Sequence, residues 1–161
     1  MGIKPYWKGK RAKMKGRTEE GRYSNIPHVV MESENWRQLS PSALKLLMEF
    51  VYQFNGRNNG DLTAAFSILS KRGWKSQNTI NMAVKELIHY NMIIKTRQGD
   101  LMKRPNLFAL TWRAIDDNKG KMDLCSPTQT PPGTWRNAAP RFDRKNAPKL
   151  MRRKKTDAQP E

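Results

Sequence analysis

Residues 76–89, Ser-Gln-Asn-Thr-Ile-Asn-Met-Ala-Val-Lys-Glu-Leu-Ile-His, repeat apolar residues at Ile80, Ala83, Val84, Leu87 and Ile88. That spacing marks one face of an α-helix. Ser76 supplies the hydroxyl of an N-cap, and Asn91 stands where the C-terminus is due. Downstream the period changes to two. Met92 to Arg97 is short and β-branched, and Gln98-Gly99-Asp100 signals a turn. Lys103-Arg104-Pro105 extends that loop, and Asn106 to Trp112 places Phe108, Leu110 and Trp112 on one strand face. The two strands predict a hairpin with a long basic loop.

Upstream, Gly73 closes a shorter pattern, Leu62, Ala65, Phe66 and Leu69, which predicts a second helix capped by Asp61 or Thr63. Asn55-Gly56-Arg57-Asn58-Asn59-Gly60 precedes it as a turn whose Asn side chains can bond the backbone. Before that turn, Ser40-Pro41 starts a further helix with a cap and a Pro at the first position. Its apolar stripe is assigned to Leu44, Leu47, Met48 and Val51, running out to about Phe54. Ser33 caps a short helix holding Trp36, and Ile26 to Val30 is an extended segment.

The expected class is therefore α+β, mainly α, with three helices followed by a β-hairpin. At Leu39-Ser40-Pro41, the 55–60 turn, Asp61-Leu62-Thr63, Thr79 to Leu87 and Phe108-Ala109-Leu110-Thr111-Trp112, the sequence resembles the winged helix-turn-helix superfamily. It is most similar to the small members of bacterial chromosomes, prophages and mobile elements. The resemblance covers roughly residues 26–116. It implies a nucleic-acid-binding domain whose hairpin is the wing.

Charge points the same way. The 161 residues hold 31 Lys and Arg against 14 Asp and Glu, a formal charge of +17. Residues 1–22 and 117–161 each contribute a net +6, and residues 23–116 a net +5. The expected division is a basic flexible arm over 1–22, a domain over 23–116, and a Pro-rich, basic flexible tail over 117–161. The ends show no apolar period and carry too little apolar surface to offset chain entropy. Trp135 and Phe142 are candidate anchors within the tail.

A surplus of positive charge favours polyanions as partners. On the outward side of the 76–89 helix, Gln77, Asn78 and Asn81 are the candidate base readers, because Asn and Gln pair bidentately with adenine. Met82 and His89 share that outward side. Lys85, Lys71, Arg72, Lys75, Ser76 and Arg57 are candidate backbone contacts, and Lys103 and Arg104 are wing contacts. Trp74, between these groups, reads either as a plug beneath the turn or as a base or sugar contact. Lys8, Lys10, Arg11, Lys13, Lys15 and Arg17 form one basic arm cluster, and Arg152, Arg153, Lys154 and Lys155 another.

The expected partner is double-stranded DNA, with RNA as the alternative and a homodimer built around Trp36 as a further option. The expected role is transcriptional regulation, with no catalysis. Replication or maintenance of a mobile element, and RNA or ribosome binding, are the alternatives. No metal or cofactor is expected: one Cys excludes an intrachain disulfide and a cysteine-built metal site, and His28 and His89 sit in no motif. No apolar run is long enough for a membrane span. A cytoplasmic, nucleoid-associated protein is expected.

Overall fold

A computed structural model describes residues 23–100 and 104–147. Their α+β arrangement begins with two single-turn helices, α1 (His28–Met31) and α2 (Glu34–Arg37). Helix α3 (Pro41–Gln53) follows, then a two-residue strand β1 (Leu62–Thr63) and a short helix α4 (Phe66–Leu69), which tightens into a 3-10 turn over Ser70–Arg72. Helix α5 (Gln77–His89) leads into strands β2 (Ile93–Arg97) and β3 (Leu107–Leu110). The three strands form one antiparallel sheet in the order β1-β3-β2.

The helix boundaries follow the local chemistry. The hydroxyl of Ser40 accepts from Ala43 N–H and that of Ser76 from Thr79 N–H, satisfying amides the first turn leaves open. Gly73 closes the 70–72 turn at φ 85°, a left-handed conformation that Gly adopts without steric cost. Asn91 does the same after α5, at φ 55°.

Helix α3 packs on α5 around Ala43, Leu46, Leu47 and Phe50 on one side and Ile80, Ala83, Val84 and Leu87 on the other. The expected α3 stripe is thus out of phase. Leu47 and Val51 are buried, but Leu44 is only half-buried and Met48 is exposed. Apolar residues occupy most of that helix, so the inward face is chosen by α5 rather than by α3. Glu86 ties the two together: its carboxylate accepts from the Ser40 backbone N–H at 2.6 Å and the Ser40 hydroxyl at 2.8 Å.

The second expected helix is also corrected. Residues 61–65 contain no helix; Leu62 and Thr63 pair with Phe108 and Leu107 instead. Helix α4 begins only after Ala65, with no side-chain cap. The Thr63 hydroxyl accepts from Ala65 N–H, and Gln53 brackets the Thr63 backbone through both its amide atoms. The Ile26 to Val30 segment is likewise not extended throughout, because α1 takes up His28 onward.

The largest departure is the tail. As far as its described residues run, 117–147 is not a flexible extension but lies against the core. Trp135 is 5% exposed and belongs to the main apolar cluster. Asn35, buried in α2, donates to the carbonyls of Trp135 and Asn137 and accepts from Ala139 N–H. Phe142 N–H donates to the Tyr90 hydroxyl at 2.9 Å. Bulged Thr96 accepts Asp123 and Leu124 amides on its carbonyl, and its hydroxyl donates to Gly60 O. The Pro-rich segment lacks periodicity because isolated groups such as the Asn35 side chain and the Thr96 carbonyl, rather than a ladder, hold it.

Candidate nucleic-acid interface

Burial of Ile80, Ala83, Val84 and Leu87 turns the opposite side of α5 outward. Gln77 and Asn78 are exposed there, and Asn81, Met82 and Lys85 are half-exposed. Gln77 Nε2 donates to Asn81 Oδ1 at 2.9 Å, so these two amides form a pair one turn apart. The C-terminal turn of the same face is occupied. His89 packs on Phe142, with ring centroids 5.3 Å apart, and its Nε2 lies 2.6 Å from the Pro140 carbonyl. His89, expected to face outward, is half-exposed and contacts the tail, whereas the first two turns of α5 have no such contact among the described residues.

A cleft of about 160 Å³ runs beside those turns. Gln77, Asn81 and Val84 form one wall, Ala64, Ala65 and Phe66 the opposite one, and Phe108 and the Pro105-Asn106 end of the hairpin loop close it. Asn106 is fixed by accepting Gly99 N–H at 2.7 Å. Phe66 and the two alanines had no part in the expected site. Ala65 and Phe66 were read as part of a buried helix stripe, whereas they line this cleft with Ala64 after the short β1 strand.

A second concavity lies at the start of α3 and α5, lined by Lys45, Trp74, Lys75 and Ser76 among others. Trp74 is the plug beneath the turn: it is 6% exposed, with the Lys45 ammonium 4.8 Å above its ring. Ser76 is committed to capping α5. Lys71 and Lys75 are exposed on either side of Trp74.

Other expected contacts are placed elsewhere. Arg72 pairs with Glu49 and stacks 4.0 Å over Tyr52, so its guanidinium braces α3; the hydrogen bond it donates to Glu49 raises its pKa further. Arg104 pairs with Asp100 within the hairpin loop. Arg57 is exposed in the α3–β1 turn, outside both concavities. Lys103 and the two arm clusters lie outside the described residues. Arg141 was missed: it is exposed between Pro140 and Phe142, the two residues that hold the tail on His89. The sequence signal was a basic residue next to an anchoring aromatic.

Trp36, the expected centre of a dimer contact, is partly buried against the core of its own chain. Burial, and then Asp123, push the Cys125 thiol up. Among the described residues no helix is long and apolar enough to cross a membrane, and no cluster of three or more His, Cys, Asp or Glu is placed to hold a metal. No protein-family model, no curated protein and no solved structure matches the chain.

Proposed function

We propose that the chain is a DNA-binding protein of winged helix-turn-helix type, acting as a transcriptional regulator. In this reading α4 and α5 are the helix-turn-helix, the β2–β3 hairpin is the wing, and the first two turns of α5 enter the major groove. The observation that carries it is the open N-terminal half of α5. Its outward residues are Gln77, Asn78, Asn81 and Lys85, while the tail contacts the C-terminal turn at His89. The element order, the β1-β3-β2 sheet and the charge of +17 agree with it. Lys71, Lys75 and Arg141 flank the helix at its two ends and are assigned to phosphates, which set position without carrying sequence information.

Selection from a random duplex pool tests the proposal. A sequence motif is expected. Asn81→Ala should then weaken binding to that motif about 5- to 150-fold, the value of one bidentate base contact, and change binding to random duplex little. Lys75→Ala should weaken both alike. Absence of a motif, or preference for RNA over any duplex, overturns the proposal.

A further inference from the structure

We infer that the cleft between α5 and the β1–α4 segment reads an A·T base pair: the Gln77–Asn81 amide pair takes adenine, and the opposite wall takes the thymine methyl. The inference rests on the duplex-reading function proposed above.

Hydrogen-bond arithmetic carries the adenine half. Each side-chain amide has an acceptor oxygen and a donor NH2. The bond from Gln77 Nε2 to Asn81 Oδ1 uses one of each. The Gln77 oxygen, its second N–H and both N–H groups of Asn81 remain, with no partner among the described residues. Exchanging oxygen and nitrogen in both amides leaves the same complement, a free oxygen and three N–H groups. In the major groove adenine offers an acceptor at N7 and a donor at N6, which matches. Cytosine and thymine present one such group each, and guanine's two acceptors leave the free oxygen without a donor, so the apolar wall decides between A·T and G·C.

The apolar wall carries the thymine half. Ala64, Ala65 and Phe66 face the amide pair across the cleft, with Val84 and Phe108 also lining it. Phe66 keeps 36% of its surface exposed, large for an aromatic ring beside a core. The thymine C5-methyl projects into the major groove from the same base pair as the adenine edge, and Ala and Phe are the side chains that contact it. No charged side chain lines this cleft among the described residues, unlike the second concavity with Lys45 and Lys75. A phosphate therefore suits the second and a base pair the first.

The test uses the full-length chain. Duplex selection with wild type and with Asn81→Ala identifies the position whose preference depends on α5. Deoxyuridine is then placed for thymidine at that position, which removes one methyl group and alters only the DNA. We expect A·T there, about fourfold weaker binding with uracil, and no difference between thymine and uracil for Phe66→Ala. A G·C pair at that position, or equal wild-type affinity for thymine and uracil, overturns the inference while leaving duplex reading intact. Failure to find any motif overturns both.

Discussion

Asn59 is wholly buried, and its side chain closes four hydrogen bonds at once. Its Nδ2 donates to the carbonyls of Leu110, Arg113 and Ala114, and its Oδ1 accepts Leu110 N–H at 2.7 Å. Next to it Gly60 sits at φ 113°, where a Cβ would come within 2.7 Å of Asn118 Nδ2 and Met122 Sδ. Asn59→Ala strands a buried N–H and several carbonyls, each costing roughly 1–3 kcal/mol, so a loss of about 3 kcal/mol or more is expected. Asn59→Asp should fare no better, since a carboxylate cannot donate to three carbonyls. Denaturant unfolding measures both; a change under ~1 kcal/mol in either would contradict the assignment. In the sequence, Asn58-Asn59-Gly60 is legible as a turn, and Asn58 does bond the backbone of Asn55 and Gln53. That Asn59 turns inward is not legible, because its partners lie 51 to 55 residues further along. The same distance hides Glu86, whose partner Ser40 is 46 residues away.

Among the elements, α5 and the three serine caps, Ser33, Ser40 and Ser76, were readable because the cap lies within a few residues of the turn it closes. Strand β1 was not, because two residues show no alternation and its pairing depends on β3. Helix α3 was readable as a helix but not in phase: it can present Leu44 and Met48 or Leu46 and Phe50 with similar hydrophobicity. The observed phase makes a sharp contrast. Met48→Lys should change stability within about ±0.5 kcal/mol, as at an exposed position. Leu46→Ala, at a fully buried one, should cost ~2–5 kcal/mol. Thermal or chemical denaturation of the two variants decides the matter, and the reverse order would restore the stripe read from sequence. The α5 site was legible in Gln77, Asn78 and Asn81, which local periodicity turns outward. Its apolar counterpart at Ala64–Phe66 depends on tertiary pairing that no local pattern encodes.

For the whole molecule, electrostatics sets the strength of association. Neutralising phosphates releases counterions, so log affinity falls with log salt at about 0.9 per phosphate contacted on duplex DNA. If the N-terminal cluster contributes, replacing Lys8, Lys10, Arg11, Lys13, Lys15 and Arg17 by Gln in the full chain should flatten that slope by several units. The motif selected should not change, since those contacts carry no direct sequence information. Equal slopes would show that the cluster does not touch the DNA. The tail joins this account through Arg141, which the packing of Phe142 on His89 sets beside the C-terminal turn of α5.

The bond between Asn35 and the carbonyl of Trp135 spans 100 residues. A ribosome adds about 5–20 residues per second, so Asn35 waits on the order of 5–20 s after its own synthesis for that partner to be made. Every helix from α1 to α5 and all three strands are translated before then, yet the apolar site that Trp135 fills stays open. Completion of the fold is thus deferred until Trp135 and its neighbours have been made. A message cut short between the end of β3 and Trp135 would yield a chain with every helix from α1 to α5 encoded and its core unsealed, a natural target for degradation.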